Sequence, residues 1–303
     1  MSVFERSSTM LPRPKVDRIL FATDFLASSR VALDYAVAFA NHFNAALIML
    51  HAVELPYPAR EAETETYRPS VSRRLACERL ETIANGVRCT GLRVETLVVD
   101  GIPSDVILRA VDYHAADLLV LGVHGVHRGL AHLLIGSNTE RILLSANCPT
   151  MTVGAHVMAG VDPALHFKEI LYFSDFTPEA TAAAPYAVFL AKEFHAPIDL
   201  CQLLPDVADN SADALKVLAE NYCETMKKLL PDAASTWCSP SFHLDHGMEI
   251  EEIIERAQRQ SAGLIVLGAH TESQLGRHLH TSFAYRLLAK ATCPVVSIRH
   301  RRS

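Results

Sequence analysis

Two constellations in this chain carry groups suited to holding a ligand. The first is Thr23 and Asp24, a carboxylate set where an apolar run stops. The second begins with Gly122, Val123, His124 and Gly125 and resumes, after ten intervening residues, with Gly136 and Ser137. Glycines let backbone N–H groups approach an anion, and a helix starting near Gly136 adds a favourable dipole. A carboxylate close to phosphate oxygens would be repelled. Asp24 therefore suits the sugar or base end of a nucleotide, where it accepts a hydrogen bond. Tight strand-to-helix turns would need the same glycines, and spacing alone leaves both readings open.

The elements that must position these residues alternate between strand and helix. RILFATD from Arg18 is a short apolar run ended by a polar turn, as in a buried parallel strand. A helix over 28–43, a strand over 45–53, a helix over 73–85 and a strand over 93–100 follow. The turn at Gly101 and Pro103 leads into a helix over 104–113, then DLLVLG as a fourth strand. A helix over 139–145 and PTMTV as a fifth strand close the series. Strands joined by helices imply right-handed crossovers and a doubly wound parallel sheet. In such a sheet ligands bind beyond the carboxyl ends of the strands, where both constellations fall.

The whole pattern then occurs again. RILFATDF from Arg18 returns as EILYFSDF from Glu169, DLLVLGVHG from Asp117 as GLIVLGAHT from Gly263, and ERILLSANCPTMTV from Glu140 as YRLLAKATCPVVSI from Tyr285. The fold expected is two tandem Rossmann-like α/β domains, 1–155 and 156–303, each a five-stranded parallel sheet with flanking helices. The stretch 154–167, with Gly154, Gly160 and Pro163, is the linker. In the second copy Thr177 reads as an N-cap, Pro178 as the first helical residue and Pro185 as a kink. The last strands, PTMTV and PVVSI, are bare apolar edges, so the copies are expected to pair through them as an intramolecular pseudo-dimer; a homodimer remains an alternative.

Composition excludes several classes. A net charge of −6 and the lack of a basic run beyond the HRRS end argue against nucleic acid as partner. No apolar stretch is long enough to cross a bilayer, and the first fifteen residues lack a signal-peptide core. Seven scattered cysteines without CxxC suit a reducing cytoplasm; Cys148 and Cys293, each before proline, read as buried small hydrophobes. His124, His127 and His132, with His270, His278 and His280 in the second copy, crowd equivalent loops. No cysteine or acid recurs with them, so they read as solvated or phosphate-facing and not as metal ligands. His51 reads as structural, and Glu61, Glu63 and Glu65 as a solvated loop.

The strand ending in TDF, the DGIP turn, and G-x2-G followed by GS and CP resemble the universal stress protein family over 18–153 and 168–298. The resemblance implies a Rossmann-like (adenine nucleotide alpha hydrolase-like) domain, often tandem or dimeric. Its nucleotide-binding branch holds ATP with G-x2-G-x9-G-[ST]. Carried over, Asp24 would meet the adenine edge with Ala22 and Thr23 beside it, and Leu47 would pack on the base. Leu121, Gly122 and Gly125 would line ribose and phosphates; Gly136, Ser137 and Asn138 would supply phosphate donors, with Mg2+ as the accompanying ion. Here ten residues, not nine, separate Gly125 from Gly136. The second copy keeps Asp175, Gly268 and Ser282, but Thr271 and Thr281 stand where glycines belong. A Cβ at either place obstructs close backbone approach, which makes this a weaker second site.

Two function classes follow. One is a cytoplasmic stress-response protein that binds ATP or another adenine nucleotide in its first domain and acts as a sensor or regulator through an unidentified protein partner. The other is a slow ATP-hydrolysing enzyme of the same fold; a non-nucleotide structural role stands third. Phosphoryl transfer needs cations on the γ-phosphate. The loop has no Walker-type lysine, and the nearest cations are Arg128, Arg141 and the histidines, which favours binding over turnover.

Overall fold

The computed structural model describes residues 14–54, 71–123, 125–127, 133–159, 169–174, 178–204, 238, 240–246, 250–269 and 283–299, with scattered positions between 217 and 230. The first half runs β1 (Arg18–Ala22), α1 (Ala27–Phe43), β2 (Ala46–Val53), α2 (Val71–Arg88), β3 (Val94–Asp100), α3 (Pro103–Tyr113) and β4 (Leu118–Gly122). It continues through β5 (Gly125–His127), β6 (Leu133–Ile135), α4 (Ser137–Ser145) and β7 (Thr150–Val153). The second half contributes β8 (Ile170–Ser174), α5 (Pro178–Glu193), β9 (Ile198–Leu204), β10 (Ser241–His246), α6 (Ile250–Arg259), β11 (Leu264–Ala269), α7 (Phe283–Lys290) and β12 (Val295–Arg299). In the first half the sequence places each element within two residues, except that α2 ends three residues later than expected and the β5–β6 pair reads as loop. Pro178 opens α5 as expected, and the helix continues through Pro185. Thr177 and the acidic stretch 61–65 lie outside the described residues.

Each half is a parallel sheet, ordered β3-β2-β1-β4-β7 and β10-β9-β8-β11-β12. Alternation along the strands divides the core between two faces. Ile19, Phe21, Leu47, Met49, Leu118 and Val120 pack beneath α1 and α2. Leu20, Ala22, Ile48, Leu50, Leu119 and Leu121 pack beneath α3 and α4. A strand covered on both faces has no polar side to offer, which is why these runs are almost continuously apolar. Burying each large aliphatic or aromatic side chain contributes roughly 1.5–3 kcal/mol.

The two halves join as the bare edges suggest. β7 and β12 pair antiparallel, Val295 with Thr152, Val296 with Met151 and Ser297 with Thr150, and the result is one ten-stranded sheet. The join continues between helices. Phe194, just past α5, meets Phe39 edge-on at 5.2 Å and His42 at 4.4 Å, while Phe43 stacks on Phe189 at 5.7 Å. Tyr35 of α1 and its repeat Tyr186 are both buried in the core that the two halves share. Burial pushes the Cys293 thiol up to about 12, so Cys293 behaves as the small hydrophobe expected of it. Among the described residues no helix is long and apolar enough to cross a membrane.

Candidate functional site

β1 and β4 are neighbours and mark the point where strand order reverses, with β2 and β3 on one side and β7 on the other. The crevice beyond their carboxyl ends is the place where open α/β sheets receive ligands. Both constellations meet there. Ala22 and Leu121, the last inward residues of the two strands, are in register and buried at 7% and 4% exposure.

The turn after β1 is held from several sides. The Thr23 N–H continues the ladder to the Leu50 carbonyl at 2.9 Å, and the Thr23 carbonyl lies 2.8 Å from His51 Nδ1. A carbonyl only accepts, so Nδ1 carries the proton. Asp24 Oδ1 accepts from the Leu26 N–H at 2.9 Å and from Ser29 Oγ at 2.5 Å. Asp24 thus also fastens the start of α1, where the N-cap Leu26 has no capping side chain of its own. Phe25 takes φ +65°, a conformation that costs a side-chain-bearing residue about 1–2 kcal/mol. Its N–H donates to Thr23 Oγ1 at 2.9 Å; its ring lies 4.3 Å from His51 and 4.6 Å from the Arg79 guanidinium. Arg79 also donates to the Phe25 carbonyl at 3.3 Å. The turn is therefore set before any ligand arrives.

The glycines divide between two tasks. A Cβ on Gly122 would lie 2.4 Å from the Ser29 nitrogen and 2.5 Å from the Ser28 carbonyl carbon. Gly122 is there so that the first turn of α1 can sit on the end of β4. Gly136 is the N-cap of α4 with φ −62°, and nothing lies within 4 Å of a Cβ placed there. Gly125 opens β5 and pairs with Ile135, which places it next to Gly136. The β5–β6 pairing thus bridges the ten-residue separation in sequence. Ser137 and Asn138 form the first turn of α4, with Ser137 exposed.

Leu47 requires a correction. It is fully buried near the amino end of β2, paired with Ile19 and Val94, three residues short of the Ala22–Leu50 level. At about 3.3 Å per residue that is ~10 Å from the carboxyl edge. Leu47 cannot touch a base in this crevice. The β2 residues at the right end are His51, under Thr23, and half-buried Ala52, which packs into the same core as Ala22, Leu121 and Val123. A signal for them existed, since ligands meet the ends of parallel strands and never their starts. Ser29 and Arg79 also belong to the site; the Asp24-to-Ser29 spacing across a helix start is the one sequence signal for the former, and the latter has none.

In the second half Gly268 lies on β11 opposite Ile298. Asp175, Thr271, Thr281 and Ser282 lie outside the described residues, as do His124, His132, His270, His278, His280 and Arg128. Among the described residues no group of three or more His, Cys, Asp or Glu could hold a metal. Three arginines of the first half are engaged: Arg141 pairs with Asp105 at 2.5 Å, Arg73 with Asp100, and Arg79 with Phe25.

Two described cavities lie elsewhere. One of about 340 Å³ is lined by Arg18, Leu47, Arg93, Glu95 and His114 at the amino edge. Its arginines donate to the His114 and Asn44 carbonyls at the ends of α3 and α1, so they complete helix termini. The other, about 700 Å³, is an open groove between α1 and α2.

Comparison with known proteins agrees with this architecture. The model of the universal stress protein family matches residues 15–154 and again 166–299. A universal stress protein of Methanocaldococcus jannaschii is 25% identical over 152 residues, 45% of this chain and 93% of that protein. One of Thermus aquaticus is 33% identical over 137 residues, 45% of this chain and 96% of its own length. Among solved structures, a universal stress protein from Archaeoglobus fulgidus superposes with a TM-score of 0.70 at 18% identity, covering 94% of this chain and 97% of that one. At that identity the likeness concerns fold alone.

Proposed function

Because the chain belongs to the universal stress protein family, we propose that its first half binds an adenine nucleotide, ATP foremost, and works as a nucleotide-dependent sensor or regulator in the cytoplasm. The observation that carries this reading is the register of the β5–β6 hairpin. It sets Gly125 beside Gly136 at the amino end of α4, with open space where a side chain would stand. Three features favour a phosphate there: backbone N–H groups, the positive end of a helix dipole, and a glycine whose added side chain would meet nothing among the described residues. Asp24 and Thr23, one strand away at the switch point, suit the nucleoside end. A Mg2+ ion would be held chiefly by the phosphates, with the exposed Ser137 hydroxyl as the protein oxygen at hand.

Binding, not turnover, is the role supported. Phosphoryl transfer draws on cations directed at the γ-phosphate. Arg141, Arg73 and Arg79 are committed to Asp105, Asp100 and Phe25, and the loop has no Walker-type lysine. One nucleotide per chain is expected, because Thr271 and Thr281 replace glycines in the second copy. Calorimetric titration of the full chain with ATP tests the reading. Saturable binding near one equivalent, abolished by Gly136→Val, supports it. No binding by the wild-type chain ends it in favour of a structural role.

A further inference from the structure

Helix α4 presents its amino end to the proposed phosphates, and both flanks of that loop-and-helix unit rest on the second half of the chain. β6, immediately before Gly136, packs on α7. Leu287 and Leu288 of α7 share a buried core with Ile142 and Leu143 of α4 and with Val123 beyond β4. The last turn of α7 reaches the end of β7 so closely that a Cβ on Gly154 would lie 3.1 Å from the Leu288 carbonyl oxygen. At the far end of α4, Arg299 of β12 donates from Nη1 to the Leu144 carbonyl at 3.1 Å. That carbonyl is one of the last four of the helix, which have no partner within it.

We propose that Arg299 and helix α7 of the second half are positioning elements for the nucleotide loop of the first, so that the site is complete only when both halves are packed together. This rests on the nucleotide reading given above. α4 has only nine residues, and isolated helices of that length do not hold together in water. Its orientation comes from its surroundings, and here these belong to the other half. Arg299 places positive charge at the negative end of the same dipole whose positive end would meet phosphate. Cation and anion at opposite ends both favour an ordered α4. The linkage is reciprocal: whatever seats Arg299 and α7 strengthens nucleotide binding, and nucleotide strengthens their seating. The second copy, with its own glycines replaced, acquires a task in reporting and tuning occupancy of the first.

The test uses full-length wild type, Arg299→Met and Arg299→Lys, with ATP titration and amide hydrogen exchange over 125–145 and 283–299. ATP should slow exchange in 137–145 and also in 283–291. Arg299→Met should weaken ATP by about fivefold or more and speed exchange in 137–145 without a general rise elsewhere, while Arg299→Lys recovers most of the affinity. A merely structural Arg299 would lower the unfolding midpoint and speed exchange throughout the β7–β12 junction. Wild-type affinity and unchanged exchange in 137–145 for Arg299→Met would overturn the proposal. If the wild-type chain binds no ATP, the functional reading falls by itself. Positioning is then decided by ligand-free exchange: faster exchange confined to 125–145 in Arg299→Met or Leu288→Ala sustains it, and an unaltered pattern refutes it.

Discussion

Gly122 and Gly136 belong to one sequence motif, yet the structure assigns them opposite consequences on substitution, and alanine at each separates them. At Gly122 the new Cβ would sit 2.4 Å from Ser29 N and 2.5 Å from the Ser28 carbonyl carbon, against a practical limit of 3.0 Å. Those neighbours are backbone atoms in the first turn of α1, so no flexible side chain can turn aside. α1 or β4 must move by ~0.6 Å, and overpacking of this kind costs roughly 1–3 kcal/mol. For a domain of this size each kcal/mol lowers the melting temperature by about 2–4 °C. The same shift disturbs Ser29, whose hydroxyl holds Asp24, so ATP affinity should fall along with stability. At Gly136 the Cβ enters open space at an ordinary φ. Gly136→Ala should lose well under about 1 kcal/mol of stability, the cost of a poorer N-cap, while ATP binding weakens sharply. Thermal and denaturant melts paired with ATP titration for both variants read the difference. An unchanged melt for Gly122→Ala would refute the packing role. A Gly136→Ala chain that binds ATP as well as wild type would show that the open space at the α4 terminus is not where phosphate sits.

Further expectations concern titration and the halves themselves. Burial raises both Tyr35 and Cys293 to about 12, from 10.0 and 9.0, with Cys293 and Asp34 adding to the effect on Tyr35. Each group stays protonated in the native state while the unfolded chain releases its proton above the ordinary value. Stability should therefore be intact below about pH 9 and fall by roughly 1.4 kcal/mol per group for each pH unit toward the folded values. Tyr35→Phe should flatten this alkaline slope, and a melt independent of pH from about 9 to 11 would contradict the assignment. In the second half Asp199 is fully buried and receives Ser241 Oγ at 2.8 Å and Gln260 Nε2 at 2.9 Å, with His243 at 3.2 Å and Arg256 at 3.5 Å. Arg256→Met should cost about 3 kcal/mol by taking the arginine charge from beside the buried carboxylate, and adding Asp199→Ile should restore most of it; equal stability of the single and double variants would rule this out. Phe194→Ala removes the ring that meets Phe39 and His42 and should lower stability by about 2–4 kcal/mol, the two halves then melting in separate calorimetric steps. A single unshifted transition would show that β7–β12 pairing alone couples them.

What could be read from the sequence followed from how local each cause is. Strand and helix order was legible because buried parallel strands are apolar throughout and each helix between them carries one apolar face. The pairing of β7 with β12 was legible from two bare β-branched edges tethered together. The β5–β6 hairpin was not, because GVH and LLI are three residues each, too short to show alternation, and they matter only through a register that sequence does not print. Asp199 went unread although it stands inside an apolar strand where the first copy has Ile48, because its partners come from β10 and the end of α6, some forty to sixty residues away.

The contacts least legible in sequence are the ones that determine what the duplication does. Because β7 and β12 run antiparallel, the carboxyl edges of the two halves point to opposite ends of the ten-stranded sheet. The loop of the first half therefore does not face the loop of the second. It faces the last turn of α7, as the approach of Gly154 to Leu288 records, while the end of β12 meets the far end of α4 through the bond from Arg299 to Leu144. Those two elements are fixed by the fold of the second half, whether or not its own loop binds anything. A second copy can consequently lose glycines such as those replaced by Thr271 and Thr281 and still serve the first, provided that α7 and β12 keep their packing. Selection on such a copy would act on Arg299, Leu288 and the junction aromatics, and not on its ligand motif. Loop-directed substitutions at Thr271 or Thr281 should accordingly leave ATP affinity of the full chain unaltered, whereas Arg299→Met should reduce it. The reverse order of effects, measured in one titration series, would place the nucleotide in the second half.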